Sequence, residues 1–149
     1  MDRTDQRRDV NKMKTILGML LLIAAIGITT GTDYSEIEMI GEDVLEDSAN
    51  DIYKVDIDVS SSRVLVDYRT GTADADEIAE DIGAVIGTYA YIVQYYGNVG
   101  DLIAKIRAPS GELVATYSCK SRWVDDLDPA DKEMMADILL KVMNTIELA

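Results

Sequence analysis

The sequence predicts an α+β protein with an N-terminal membrane helix. The helix is followed by a two-layer ββαββα sandwich, in which two helices cover one face of a four-stranded antiparallel sheet. Two observations lead to this prediction. An uncharged run, residues 15–32, separates a basic N-terminus from a strongly acidic remainder. Beyond it, four segments alternate apolar and polar residues as half-buried strands do, and two segments repeat apolar residues at helical spacing. Placing both helices on one sheet face buries all of these apolar sides.

Residues 15–32 have the length of a transmembrane anchor or a signal peptide. As one helix they would span about 27 Å, close to the roughly 30 Å hydrocarbon thickness of a bilayer. The stub 1–14 is basic, whereas 25 of the 28 acidic residues and 9 of the 14 basic residues follow the run. Because basic flanks stay in the cytoplasm, we expect a single-pass cell-membrane protein with its body on the extracytoplasmic side. A chain that begins at Met13 instead of Met1 would have an N-terminal segment that resembles a secretory signal peptide. The alternative is therefore a protein that is secreted after this segment is cleaved.

An acidic tether, residues 33–52, leads into the extracytoplasmic α+β domain, residues 53–149, and holds a possible short helix at 37–45. The first two strands of the domain are predicted at 53–60 and 63–69, joined by a serine turn into a hairpin. Their alternation places seven side chains on the inner side: Tyr53, Val55, Ile57, Val59, Val64, Val66 and Tyr68.

A long helix is predicted to begin at Asp74. Asp74 followed by Glu77 has the spacing of a capping box, in which the side chains of a helix start satisfy its free backbone N–H groups. Apolar residues then recur at spacings of three and four, which is typical of a helix packed on one side. The stripe consists of Ile78, Ile82, Val85, Ile86, Tyr89, Val93 and Tyr96.

A second hairpin is predicted at residues 102–107 and 113–120, around a Pro-Ser-Gly turn. Asp128 as N-cap, with Pro129 at the first helical position, then predicts the last helix. The order is therefore β-β-α-β-β-α, and Tyr68 holds the same place in the first unit as Tyr117 does 49 residues later. The apolar stripe of the last helix consists of Met135, Ile138, Leu139, Val142 and Ile146.

Basic residues concentrate on the predicted outward side of the strands. Of the nine that follow residue 32, seven lie there: Lys54, Arg63, Arg69, Lys105, Arg107, Lys120 and Arg122. One interpretation is a set of cross-strand ion pairs on a solvated surface. The other is a docking surface for an acidic protein partner, an anionic ligand or the acidic side of another copy.

Three further features of the sequence bear on function. Tyr91 and Tyr95 would lie off the packed side of the long helix, where exposed tyrosines suit protein contacts. The oxygen-rich loop holds the weak calcium candidates Asp125, Asp126 and Asp128, but it lacks the spacing of a calcium loop, so no metal site is predicted. Cys119 falls on the inner side and is expected to be a buried, unreactive thiol.

The composition argues against several classes of function. Histidine is absent and no glycine-rich phosphate loop occurs, so we expect neither an enzyme nor a bound cofactor. A net charge of −14 disfavours nucleic-acid binding. The hypothesis is a membrane-tethered extracytoplasmic interaction module, held by residues 15–32, that meets a protein partner or forms a homo-oligomer. The alternative is a secreted or anchored protein that binds a small anion or calcium.

Overall fold

Nine elements follow one another in the described part of the chain. The structure is a computed structural model; it describes residues 34–48, 51–128 and 130–149. The predicted stub 1–14 and apolar segment 15–32 lie outside these ranges. Within them, no helix has both the length and the apolar character needed to cross a bilayer. The elements are α1 (Ser35–Ser48), β1 (Ile52–Val59), β2 (Arg63–Thr70), α2 (Ala75–Tyr96), β3 (Asp101–Arg107), β4 (Leu113–Cys119), α3 (Ser121–Val124), α4 (Lys132–Met143) and β5 (Glu147–Leu148).

The fold is α+β with a mixed five-stranded sheet in the order β1-β2-β3-β4-β5. Both predicted hairpins are present as antiparallel pairs. The prediction of four antiparallel strands was wrong in two respects. β2 and β3 are parallel, because α2 carries the chain back to the end of the sheet where β2 began. β5 pairs antiparallel with β4, and its two residues are too short to give a periodic pattern.

One face of the sheet is packed and carries the core. The buried strand residues fall on alternate positions of β2, β3 and β4, and β1 adds four more. The apolar sides of α1, α2 and α4 pack against them, together with Val124 of α3 and the loop residues Val99 and Leu127. Gly41 of α1 shows how tightly these layers meet, since a Cβ there would lie 2.9 Å from Ile57 Cδ1 of β1 and 3.5 Å from Thr88 Cγ2 of α2. The short helix expected at residues 37–45 is confirmed within α1, with Ile37 and Leu45 buried.

A bulge in β1 corrects part of the predicted alternation. The register shifts between Tyr53 and Asp56, and Lys54 takes a positive φ of 50°. The extra residue moves the side chains before it to the opposite face. Ile52 is therefore buried, whereas Tyr53, predicted to lie inside, is only partly buried.

α2 and α4 each begin after an aspartate N-cap. The cap of α2 is the predicted residue, and the cap of α4 is not. Asp74 caps α2 by accepting hydrogen bonds from Asp76 N and Glu77 N. The last helix, α4, does not begin at Asp128. Its N-cap is Asp131, whose side chain accepts from Met134 N, while Asp128 instead accepts from the neighbouring Ala130 N in a turn.

The internal resemblance between the two β-β-α units has a structural counterpart. Tyr68 of β2 and Tyr117 of β4 meet inside the core, where their hydroxyl oxygens are 3.0 Å apart and hydrogen-bonded. Burial raises the pKa of both phenols well above the usual value. Both groups are therefore neutral, and each satisfies the polar atom of the other. The buried side chain of Asp81 also acts on both phenols and raises their pKa further.

Candidate functional site

The second face of the sheet is the candidate site, and we call it the open face. In the ranges that the structure describes, every helix packs on the opposite face. The side chains of the open face alternate with the buried ones along each strand. They are Tyr53, Asp56, Asp58, Arg63, Leu65, Asp67, Arg69, Asp101, Ile103, Lys105, Arg107, Val114, Thr116, Ser118 and Glu147.

The seven predicted cations separate into two groups along the strands. We call the end where α1 begins and α2 ends the proximal end, and the end with the β3–β4 turn the distal end. Lys54, Arg69, Lys105 and Arg107 lie in the distal half of the sheet, and Arg63, Lys120 and Arg122 lie at the proximal end. The sheet therefore does not bring the seven together at one point.

Two of the distal cations hold the β3–β4 turn. Arg69 and Arg107 are direct neighbours in the parallel pair. Arg69 Nη1 donates to the Pro109 carbonyl at 2.9 Å, and Arg107 Nη1 donates to the Gly111 carbonyl at 3.1 Å. Arg107 Nε also donates to Asp67 Oδ1 at 2.8 Å, and this carboxylate raises the pKa of the guanidinium. Both arginines thus have a structural task that the sequence pattern did not indicate.

Lys105 is placed differently. It lies directly opposite Asp67 in the register of β2 and β3, yet Asp67 binds Arg107 instead. Among the described residues, Lys105 has no ion pair. Beside it, Leu65 and Ile103 form an apolar cross-strand pair, and the Ile103 side chain is 38% exposed. A half-buried lysine side chain next to a partly exposed apolar pair is a surface on which a partner segment can bind.

The proximal cations lie around Asp101. Arg63 is opposite Asp101 in the register, and Lys120 follows β4 on its other side. The Asp101 carboxylate itself accepts a hydrogen bond from Ser121 N at 3.0 Å. Asp101 and Glu147 were not assigned to this surface from the sequence. With them, the open face carries both signs of charge in its distal half and at its proximal end.

Tyr91 and Tyr95 belong to a larger group, which we call the tyrosine cluster and define as Tyr34, Tyr91, Tyr95 and Tyr96. Ring centroids are 4.9 Å apart for Tyr34 and Tyr96, 5.0 Å for Tyr95 and Tyr96, and 6.0 Å for Tyr91 and Tyr95. The Tyr91 hydroxyl is buried and has no hydrogen-bond partner in the part of the chain described, and burial raises its pKa. The cluster lies at the proximal end.

The remaining candidates have ordinary surroundings. Asp125, Asp126 and Asp128 are exposed, and among residues 34–48, 51–128 and 130–149 no three metal-ligating side chains converge. Cys119 is fully buried, as predicted, and its burial raises the pKa of the thiol to about 12.

Sequence reasoning missed three glutamates of α1, which we call the carboxylate ladder: Glu38, Glu42 and Glu46. Glu38 Oε2 accepts from Val59 N at 2.8 Å and Glu46 Oε1 from Val55 N at 3.0 Å. Glu42 accepts from the amide between them. Their spacing of four residues was the available signal, since such residues share one side of a helix. The ladder occupies the free N–H groups of β1, which is an edge strand.

The comparisons with known proteins identify a family without assigning a function. Residues 41–149 match the family model described as Domain of unknown function (DUF8159). No curated protein and no solved structure matches the chain significantly. The match begins inside α1 and includes the whole sheet with α2, α3 and α4. The chain therefore belongs to the family DUF8159.

Proposed function

We propose that this protein is a membrane-tethered extracytoplasmic interaction module whose open face binds an acidic segment of a partner protein. The tether is the uncharged segment 15–32, and its orientation follows from the basic stub before it. The observation that carries the docking surface is Lys105, a half-buried cation without an ion pair among the described residues, beside the exposed side chain of Ile103.

The chemistry of the partner follows from this arrangement. An apolar side chain of the partner would cover Leu65 and Ile103, and a carboxylate next to it would pair with Lys105. Such a contact removes apolar surface from water at about 25 cal/mol per Å². It also gives Lys105 a counterion, and charge pairing of this kind favours specificity.

Site-specific photo-crosslinking in the cells of origin tests this proposal. A benzophenone amino acid at position 103 should form an adduct with the partner, whereas the same group at Met39, 63% exposed on the helical side, should not. Lys105→Glu should reduce the adduct at 103 about tenfold, corresponding to about 1.4 kcal/mol. Lys132→Glu, a charge reversal on exposed α4, is the matched control and should leave it unchanged.

The mass of the adduct identifies the kind of partner. A mass of two chains would assign the open face to self-association, and a larger or smaller mass to another protein. An adduct that forms equally at both positions, or that is insensitive to Lys105→Glu, would contradict the docking surface.

The second candidate function is a secreted or anchored protein that binds a small anion or calcium. Lys105, which has no ion pair within the described ranges, would favour an anion. Thermal unfolding of the full chain with added phosphate, and separately with added calcium, distinguishes this candidate. A ligand that binds the folded state raises the Tm in a concentration-dependent way. A saturating rise with either ion would favour the ligand-binding function over the protein partner.

A further inference from the structure

The tyrosine cluster lies where the N-terminal segment joins the domain. Tyr34 is the first residue of the described chain, and its ring packs edge-on against Tyr96 at the end of α2. The uncharged segment ends at residue 32, two positions earlier. Two residues of extended chain span at most about 7 Å. If the segment crosses the bilayer, the backbone of Tyr34, the first member of the cluster, therefore lies within about 7 Å of the point where the segment leaves the membrane.

The direction of the strands shows what else lies at this end. β1 finishes and β2 begins there, since Val59 pairs with Val64 across the Ser60–Arg63 turn. α3 also lies there, because Gln94 Nε2 near the end of α2 donates to the Val124 carbonyl at 2.9 Å. The β3–β4 turn lies at the other end of the strands, about 20 Å away for strands of seven residues at about 3.3 Å each.

Tyrosine has the chemistry of the membrane–water interface. Its ring is apolar and its hydroxyl is polar, so that the side chain is favoured at the depth of the lipid headgroups. The rings of Tyr91 and Tyr95 are stacked and only partly buried. The partly exposed parts of these rings therefore offer apolar surface that can enter the headgroup layer.

We propose that the tyrosine cluster rests on the outer leaflet of the membrane and holds the proximal end of the domain against it. This inference depends on the tether proposed above. It also sets the orientation of the open face, because the strands then rise from the membrane and the face points sideways. Lys105 and Ile103 are thereby presented to neighbouring proteins along the membrane rather than to the lipid.

The proximal end carries both basic and acidic groups, so we expect its main interaction with the membrane to be aromatic contact. Arg63, Lys120 and Arg122 lie there, but so do acidic residues such as Asp101 and Asp125. Anionic lipid attracts the basic groups and repels the acidic ones, so the two effects partly cancel. We therefore expect the contact to form on zwitterionic phosphatidylcholine and to need no anionic lipid.

Paramagnetic broadening of the full-length chain tests the contact. The ¹⁵N-labelled protein is reconstituted into phosphatidylcholine nanodiscs with a gadolinium chelate on a fraction of the headgroups. The amides of Gly97 and Asn98, next to the cluster, should be broadened at least threefold more than that of Ser110 at the distal end. Tyr91→Ser with Tyr95→Ser should reduce this ratio at least twofold.

Tyr53→Ser is the matched control, because Tyr53 is a partly buried tyrosine at the distal end, and it should leave the ratio unchanged. Equal broadening at both ends, or a ratio that the double variant does not alter, would overturn the proposed contact. So would a contact that requires added phosphatidylglycerol. Flotation of the protein with vesicles is measured first. A chain that does not float would overturn the tether together with this inference, whereas a floating chain with even broadening would overturn the inference alone.

Discussion

The carboxylate ladder gives a prediction about how α1 is held to the sheet. Glu38 and Glu46 accept hydrogen bonds from Val59 N and Val55 N, at positions where a neighbouring strand would otherwise pair. A backbone hydrogen bond to a charged acceptor contributes about 1.5–3 kcal/mol when buried. The bonds made by Glu38 and Glu46 are partly exposed, so we expect each to contribute about 1.4 kcal/mol to stability.

The perturbation is the pair Glu38→Ala and Glu46→Ala in the full-length chain. Each substitution leaves one N–H of β1 without its acceptor, and a loss of about 1.4 kcal/mol corresponds to a tenfold change in an equilibrium constant. Amide hydrogen exchange should therefore be about tenfold faster at Val55 and Val59. Exchange in β3, for example at Ala104 in the middle of the sheet, should be much less affected.

The matched control is Glu38→Gln with Glu46→Gln. The amide oxygen of glutamine still accepts the backbone hydrogen bond while the charge is removed, so most of the protection at Val55 and Val59 should remain. Equal acceleration by the alanine and glutamine pairs would refute the reasoning, because it would show that packing or charge, rather than the acceptor atoms, holds the edge.

Glu42, the middle residue of the carboxylate ladder, should make the docking of α1 depend on pH and salt. Burial raises the pKa of Glu42, and the charges that face it do so as well: Asp56 of β1, then Glu38 and Glu46 of its own helix. A raised pKa in the folded state means that protonation stabilises the fold. The docking of α1 should therefore strengthen as the pH falls from neutral through the pKa of Glu42, and weaken as it rises again.

Glu42→Gln should abolish this dependence. Like charges four residues apart on a helix cost about 0.2–0.5 kcal/mol each. Two such pairs predict a gain of about 0.4–1 kcal/mol for the variant at neutral pH and low salt. The gain should shrink in high salt, which screens the repulsion. Exchange at Ile57, measured at several pH values in wild type and variant, provides the comparison.

Three further predictions follow from the interior. Gly100→Ala should cost about 3 kcal/mol or more in unfolding free energy, because its Cβ would overlap the backbone of the β1–β2 turn, whereas Gly87→Ala in α2 meets nothing within 4 Å and should be neutral or stabilising. Tyr68→Phe and Tyr117→Phe should show a coupling of about 0.5–1.5 kcal/mol in a double-mutant cycle, since the two hydroxyls bind each other. Cys119, buried and with its pKa raised to about 12, should react with Ellman's reagent at pH 8 only as fast as the protein unfolds.

The elements that sequence alone predicted well are those with a strong period or an unambiguous cap. The alternation of β2 and the stripe of α2 each repeat over seven or more residues, and Asp74 has a single register in which it can cap α2. At the start of α4, by contrast, Asp128 and Asp131 both have the chemistry of an N-cap. The choice between them depends on where α4 must pack, and the local sequence does not contain that information.

The candidate site could be predicted less completely than the fold. The position of a charged residue on a strand does not specify which residue it pairs with. The alternation placed Arg107 and Lys105 correctly on the same face. It could not show that Arg107 would take Asp67 and the Gly111 carbonyl, leaving Lys105 unpaired among the described residues. That outcome depends on the shape of the β3–β4 turn. The assignment of Asp101 to the same surface likewise required the parallel register of β2 and β3.

The two edges of the sheet narrow the ways in which this domain can bind a partner. A sheet with a free edge can accept an added strand through backbone hydrogen bonds. At the β1 edge, those N–H groups are occupied by the carboxylate ladder. At the opposite side of the sheet, the C-terminal segment with β5 covers β4. Ser118 N donates to Thr145 Oγ1 at 2.9 Å, and Val114 O accepts from Ala149 N at 2.9 Å.

Strand addition to β1 or β4 would require α1 or the C-terminal segment to leave first. The outer edge is then β5, whose two residues offer little backbone for strand addition. We therefore expect a partner that binds without such a rearrangement to use side chains, which the open face offers. On that face Arg69 and Arg107 are engaged with the β3–β4 turn. The contact should then centre on Lys105 and the neighbouring pair Leu65 and Ile103. Variants at these three positions should alter binding more than variants at either edge.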